Sequence, residues 1–534
     1  MRAWLWDAPR GIAGHLIFAG CLLGICGSAA YVGVPWLFKY SADSFLFLDG
    51  GWRLLQGQRP HVDFYTAIGP VTYLINALGL KLAGYEPWGL GLGSAIFGLL
   101  IGLWTYRISV RRMRYLAASV ASLFLVLLAV GPFPLGESPT ETGFAMVYNR
   151  YGYALLGLVI IESYKLVRPA KGETREVLFG CLSTGIALGV LLFLKVSFFL
   201  GGLPLIVPGL LWRPRPRVRM AGAILLGFAA ACLVFFWYLR FNLSAMWGDL
   251  LMTAHARQPS ISAIRAVLLS DFDVFGLIVL LVLARALEGL RPKEAGRFLR
   301  QQRLTIGALA TVLVGYFLLL TNHQSYGLPL NALFAILIAE EIPSLGSDVS
   351  ASALRIVCSA SVLAVALLVA IPTAGSDLIS LGYSVVRQAR TVKTLGASMA
   401  STEPRLRGLW FVGEYPRCNT VDYLHDLEDG LALVRRSSGA DETVYSLDFS
   451  NPFAYFLGRQ VAPGGSWSIA YKQAVDDRHH PAAGRIFGGV DIVMEPKFPV
   501  VDLTGTKRIY GNYLRAHFRL AAESRSWLMY RRFE

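Results

Sequence analysis

The chain is expected to be a polytopic α-helical membrane protein of about eleven spans with a small soluble α/β domain at its C-terminal end. Three observations predict this. Hydrophobic residues make up 54% of the 534 positions and charged residues only 16%, with a mean hydropathy of +0.50. Such a chain treats lipid as its main solvent. Long apolar runs alternate with short connections, and Lys and Arg cluster in every second connection. Near Ser376 the almost continuous apolar character gives way to a soluble composition. The expected division is therefore a membrane module over 1–375 and an external domain over 376–534.

The N-terminus places Arg2 and Arg10 ahead of an apolar run over 13–36 without a small-residue cleavage site, which reads as an uncleaved first span. Two interfacial helices should follow. In the first, Phe45, Leu48, Trp52 and Leu55 make one stripe and Asp49, Arg53 and Gln56 another, with Gly57 as the stop and Asp49 solvated. In the second, over 69–84, Val71, Leu74, Ile75, Leu78 and Leu82 share a face opposite Thr72 and Asn76. This segment is short for a span, and counting it as one would put every basic connection on the wrong side of the membrane.

The remaining apolar runs give spans at 88–107, 115–131, 150–167, 177–194, 198–212, 220–240, 273–290, 304–321, 327–343 and 356–374. Basic connections carry Arg107, Arg111, Arg112 and Arg114; Lys165, Arg168, Lys171 and Arg175; Arg213, Arg215, Arg217 and Arg219; and Arg291, Lys293, Arg297, Arg300 and Arg303. The positive-inside rule makes these cytoplasmic, with the N-terminus inside and the tail outside. In the tail, GLWFVGEY, ETVYSLDF, VDIVMEP and SWLMYRR read as strands, and 420–436 and 507–517 as helices.

Several features carry no chemistry. The net charge of +15 is spent on cytoplasmic loops and implies no nucleic-acid partner. Cys21, Cys26, Cys181, Cys232 and Cys358 lie in apolar runs and Cys418 stands alone, so no disulfide framework follows. GLGLGS at 89–94 has the spacing of close helix packing, while His479-His480 and the triplet Asn242-Leu243-Ser244 lack supporting partners. Neither a Walker loop nor a dinucleotide fingerprint is present.

Sorted by side, the external connections hold Asp43, Asp49, Arg59, His61 and Asp63; Glu137, Glu141 and Arg150; Lys195; and Asn322, His323, Gln324 and Tyr326. Charged groups at a membrane boundary are costly and mark functional sites. The stretch ADSFLFLDGGWRLLQGQRPHVDFYTAIGPVTYL resembles the first-loop signature of the GT-C membrane glycosyltransferases that use polyprenyl-phosphate sugars, the group including bacterial relatives of protein O-mannosyltransferases and aminoarabinose transferases. YNRYGYALL, FLKVSFFLGGLPL and NHQSYGLPLNALFAI resemble later parts of that pattern. Together the matches scatter over about residues 13–345.

The resemblance implies inverting transfer of one sugar from a polyprenyl-phosphate donor to a glycan, lipid or protein acceptor of the cell envelope, in a bacterial inner membrane with the tail in the periplasm. It makes Asp43 the general base. Asp63, Glu141, Arg150, Lys195, His323 and Tyr326 become substrate-binding candidates. Many relatives carry adjacent Asp-Glu where this chain has Asp43-Ser44, and Pro-Pro where it has Gly69-Pro70. A divalent cation, Mg or Mn, therefore stays open, with Asp43 and Asp63 as its only candidate ligands.

The chemistry is consistent with these residue types. The acceptor hydroxyl must lose its proton as it attacks the anomeric carbon, which a carboxylate accomplishes. The leaving phosphate needs positive charge, which Arg offers in bidentate form and Lys as a point charge. Each residue also has a structural role to weigh: Asp43 as a helix cap, Asp63 as a clamp on Arg59 or His61, Lys195 as a snorkelling cation, and Arg150 or His323 as partners of helix-end carbonyls. Two other functions remain open. A secondary transporter or flippase calls for an inverted repeat and broken helices. A polysaccharide polymerase or ligase calls for Arg and His in a large external loop, for which His255, Arg257 and Arg265 are available.

Overall fold

A computed structural model of the chain describes residues 12–165, 167, 173–212, 217–256, 264–265, 271–289, 297–322, 324, 326–341, 353–394, 403–413 and 416–533. The membrane module is a helical bundle: α1 (Ile12–Val32), α2 (Ser41–Leu55), α3 (Pro70–Leu82), α4 (Gly89–Ser109), α5 (Tyr115–Val130), α6 (Val147–Tyr164), α7 (Glu173–Leu194), α8 (Val196–Trp212), α9 (Arg217–Tyr238), α10 (Leu243–Ala256), α11 (Asp271–Gly289), α12 (Arg297–Thr321), α13 (Pro329–Ala339) and α14 (Ala353–Thr394). Among the described residues, α1, α4, α7, α9 and residues 359–390 of α14 are long and apolar enough to cross a membrane. Shorter apolar helices lie within α5, α8, α11, α12 and α13. Each expected span coincides with a helix.

At the centre runs α6, whose 18 residues are all buried. It packs against α4, α5, α7, α8, α12 and α13. The glycines of α4 permit a close approach to α3: a Cβ at Gly89 would overlap the Gly79 carbonyl oxygen, and one at Gly93 the Ile75 carbonyl oxygen. The spacing read as helix packing has that role here.

Among the described residues, cations of three basic connections pair with acids of neighbouring elements. Arg107 pairs with Glu176 at 2.9 Å, Arg112 with Glu162 at 3.2 Å, Lys165 with Glu340 at 2.8 Å and Glu341 at 3.1 Å, and Arg303 with Glu341 at 3.4 Å.

Both first-loop helices form, but their faces are assigned differently from expectation. Asp49 is buried and bound to Arg53 at 2.8 Å and to Asn451 Nδ2 at 3.2 Å, so it is not solvated. The polar stripe of α2 faces the C-terminal domain instead of water. In α3, Thr72 and Asn76 are fully buried, whereas Leu78 and Leu82 are 46% and 58% exposed. An apolar face turned outward and a polar face turned inward suit a helix bordered by lipid.

The last long helix also departs from expectation. It continues through Pro372 to Thr394, so the expected division at 375/376 falls within one helix. Ser376 and Asp377 look like the start of a polar tail, yet Asp377 turns into the bundle and is buried.

The C-terminal domain contains α15 (Val421–Ser437), β2 (Val444–Ser446), α16 (Phe453–Leu457), β3 (Gly464–Ser466), α17 (Ala483–Phe487), β4 (Ile492–Pro496), α18 (Thr504–His517), β5 (Phe518–Glu523) and β6 (Trp527–Arg532). Its four-stranded sheet has the order β2-β4-β6-β5, with β2 and β4 parallel and the other pairs antiparallel. Three of the four strand-like runs appear as β2, β4 and β6. Among the described residues of GLWFVGEY there is only an isolated bridge, Phe411 with Leu37. The edge strand β5, FRLAAE, has no apolar alternation to announce it.

The domain is sewn to the first loop. Phe64–Tyr65, which form β1, pair in parallel with β3. Phe45 of α2 lies among Phe411, Tyr423 and Phe456. Trp52, Gln56, Gln58 and Arg53 of the first loop bond to backbone carbonyls of Arg459, Val461 and Ala462.

Candidate active site

Asp43 sits in the first turn of α2, half-buried. It is not the cap of a helix starting at Ser44, because the helix begins at Ser41. Its carboxylate accepts a hydrogen bond from the backbone N–H of Met146. Burial pushes the Asp43 carboxyl up to about 7, and the Met146 N–H holds it back from rising further. A carboxyl that titrates near neutrality is suited to general-base work. Met146 itself is left-handed, at φ 48° and ψ 31°, immediately before α6.

Lys195 occupies the break between α7 and α8. Its Nζ lies 4.6 Å from the Tyr148 ring centroid and donates to Asn149 Oδ1 at 3.4 Å. The acid and the lysine are thus both held by residues 146–149, at the N-terminal turn of α6, where the helix dipole favours negative charge. Phe47 of α2 packs edge-on against Tyr148, 6.2 Å between centroids, and completes the link between the two supports.

The other candidates divide. Glu141 pairs with Lys39 at 3.2 Å, and Glu137 takes the same amine at 2.6 Å. Desolvation opposes the charge on Lys39, but the two carboxylates together raise its pKa. Tyr40 donates to Glu137 at 3.2 Å. Lys39 and Tyr40 immediately precede α2, and with the two glutamates they give the Asp43 region a mixed charge.

Asp63 closes a local turn. It accepts the Arg59 N–H at 2.7 Å, and its own N–H bonds to the Arg59 carbonyl at 2.9 Å. Tyr326 is 44% exposed, and its carbonyl accepts from Gln324 Nε2 at 2.9 Å. His323 lies outside the described residues.

Arg150 takes the structural role weighed for it, as a partner of carbonyls at a helix end. It is buried and pairs with Asp377 at 2.8 Å, while its remaining donors reach the carbonyls of Leu128 and Phe133. The guanidinium is occupied inside the bundle, because α14 delivers a carboxylate that the expected domain division had placed elsewhere. A cleft lined by Gly33, Pro35, Gly131, Phe144, Val147 and Arg150 opens beside it, against the segment that carries Met146.

Three further polar residues tie the first loop to later parts of the chain. Asp249 of α10 is buried, 3.2 Å from His61 Nδ1 and 3.1 Å from Arg485 Nη1, and Arg485 Nη2 donates to the His61 carbonyl at 3.1 Å. Alongside, the Tyr65 hydroxyl donates to the Ala474 carbonyl and lies 2.7 Å from Thr253 Oγ1. One acid thereby ties the first loop, the 241–256 segment and the C-terminal domain together. A lone Asp at position 249 among Met246, Leu250 and Thr253 on one helical face was the available clue. The third, Asn419, contacts Ser41 and gives no clue in sequence.

Asp43 and Asp63 each accept a backbone N–H, and among the described residues no three His, Cys, Asp or Glu side chains gather as ligands.

Along nearly its whole length the chain is similar in fold to two solved structures of one protein. In particular, it is similar to the crystal structure of ArnT from Cupriavidus metallidurans in the apo state, with a TM-score of 0.52 and 13% identity over 96% of this chain and 97% of that one. The structure of the same protein bound to undecaprenyl phosphate gives a TM-score of 0.50 and 13% identity over 97% and 98%. No protein-family model and no curated protein matches the sequence. The resemblance read from the first loop is met by fold along nearly the whole chain.

Proposed function

We propose that the protein is an inverting glycosyltransferase that moves one sugar from a polyprenyl-phosphate-linked donor to an acceptor hydroxyl at the external face of a bacterial inner membrane. The observation that carries this reading is Asp43: a half-buried carboxyl pushed up to about 7, at the head of a first-loop helix, in a fold shared with a protein that has been crystallised with undecaprenyl phosphate.

In this reading Asp43 takes the proton of the acceptor hydroxyl as its oxygen attacks the anomeric carbon. The bond between that carbon and the phosphate oxygen breaks, and polyprenyl phosphate leaves with the bonding electrons. Lys195, supported by Tyr148 and Asn149, faces the developing phosphate charge as a point cation. Arg150 is given no part in this step, since its donors are already occupied. The basic connections are cytoplasmic and the C-terminal domain periplasmic, following the positive-inside rule. The acceptor is a glycan, lipid or protein of the cell envelope.

The test is transfer of radiolabelled sugar from total polyprenyl-linked donors to membrane glycans, comparing wild type with Asp43→Asn at equal amounts of folded protein in detergent. Loss of transfer in the variant supports the reading. Equal transfer removes Asp43 from the reaction, and absence of transfer by wild type rejects this donor class and returns attention to transport.

A further inference from the structure

The helix that carries Asp43 has no cap of its own. Tyr40, which precedes it, is left-handed at φ 54° and makes no capping bond with its side chain. The Ser41 N–H is one of the donors a helix cannot satisfy internally. It is satisfied from the other end of the chain: Asn419 Oδ1 accepts the Ser41 N–H at 2.9 Å and the Ser41 hydroxyl at 2.8 Å. Ser41 and Asn419 are 0% and 1% exposed, so water does not substitute.

Asn419 is itself held firmly. Its N–H bonds to the Pro416 carbonyl and its carbonyl accepts the Gly413 N–H, each at 2.9 Å. The loop that carries it is joined to the segment before α2, with Leu37 N–H donating to the Trp410 carbonyl at 2.6 Å and Val412 N–H to the Leu37 carbonyl at 3.2 Å. The opposite end of the Asn419 amide, Nδ2, is buried without a hydrogen-bond partner. A buried amide nitrogen left without a partner destabilises the fold. The side chain is therefore retained for its accepting oxygen, and that oxygen serves α2.

We propose that Asn419 is a positioning residue: by capping α2 from the C-terminal domain it sets the place of Asp43, so that this domain completes the active site. The proposal rests on the reading of Asp43 as the general base.

The experiment measures the two separately. Full-length wild type, Asn419→Ala and Asn419→Asp are purified in detergent and checked for a single folded species. Each is treated with dicyclohexylcarbodiimide across a pH series, and adduct formation on the Asp43 peptide is quantified by mass spectrometry. Transfer is measured on the same preparations with the radiolabelled polyprenyl-linked donor pool. Asn419→Ala is expected to lower the pH midpoint of Asp43 labelling by about one unit as the first turn frays and water enters. It is also expected to lower kcat roughly tenfold to a hundredfold with KM for the donor little changed. Asn419→Asp keeps a capping acceptor and should retain both properties.

A wild-type midpoint in Asn419→Ala overturns the proposal, as does equal loss in the Ala and Asp variants, which would mark packing in place of capping. A shifted midpoint with unchanged transfer leaves the cap standing but overturns the reading on which the proposal rests. Where Asn419→Ala yields no folded protein, Asn419→Ser, with a shorter acceptor, must give a smaller shift in the same direction. An unshifted Ser variant then overturns the proposal.

Discussion

Arg150 Nη1 and Asp377 Oδ1 lie 2.8 Å apart with both side chains buried, joining the central helix to the last long helix of the bundle. Removing one member of a buried ion pair strands the other charge and costs about 3–5 kcal/mol. Arg150→Met and Asp377→Leu are each expected to lower thermal stability sharply, and the double variant to recover most of the loss. Thermal unfolding followed by size-exclusion chromatography in detergent checks this. An Arg150→Met protein as stable as wild type but with a raised KM for the donor would restore Arg150 to phosphate binding.

The Asp43 carboxyl, raised to about 7, predicts a pH dependence with a definite sign. A general base works when deprotonated, so transfer should rise with pH through about 7 and level off above it. Stability should move the other way. Between the ordinary carboxylate range near pH 4 and about pH 7, the folded state holds a proton that the unfolded state has released, so stability falls as pH rises across that window. Asp43→Asn escapes this loss. It should unfold at a temperature on the order of a few degrees higher than wild type above pH 7, with no such gain below pH 4.

Lys195 bears on the leaving group alone in the proposed reaction. Its contacts with Tyr148 and Asn149 are of a kind that contributes about 1 kcal/mol or less to stability at a part-exposed site. Lys195→Ala should therefore fold normally while transfer falls by roughly a hundredfold or more. Steady-state kinetics beside an unfolding curve make the comparison, and a variant with full activity would leave Lys195 as a snorkelling cation.

Arg485 reaches Asp249 across the boundary between the C-terminal domain and α10. Arg485→Ala leaves the buried Asp249 with His61 and the Thr66 N–H but no cation on its Oδ1, a penalty of roughly 1–3 kcal/mol. The expected result is faster amide hydrogen exchange across 243–256 than in wild type, with exchange in α6 unchanged. Equal exchange in 243–256 would show that Tyr65 and Thr253 suffice to hold the segment.

How much of this could be read from the residues depends on how local the cause is. Alternating basic connections and apolar runs locate the eleven expected spans, because each span satisfies its own backbone hydrogen bonds, but not α10, which lies in a stretch read as an external connection. The glycine spacing of α4 foretells its close packing, and Asp43 stands out by its place after the first span. The faces of α2 and α3 are another matter. Asp49 and Arg53 look like a wet stripe until Asn451 and the Ala462 carbonyl are brought against them from a distant part of the chain. Asp377 misleads for a similar reason: an acid after an apolar run resembles the end of a span, and only its partner on α6 shows that the helix continues. Asn419 has no local signature because the donor it satisfies lies 378 residues away.

The parallel pairing of β1 with β3 also bears on how the molecule is made. Phe64 meets Gly464, so the partner of the first loop is synthesised about 400 residues later. At roughly 5–20 residues per second, the ribosome needs about 20–80 s to cover that distance. Throughout this interval the loop bearing Asp43 lacks its neighbouring strand, and for most of it the Asn419 cap as well, while successive helices are made behind it. Final assembly of the site must therefore wait until translation is nearly complete, and a nascent chain stopped before residue 419 would carry Asp43 on an uncapped helix.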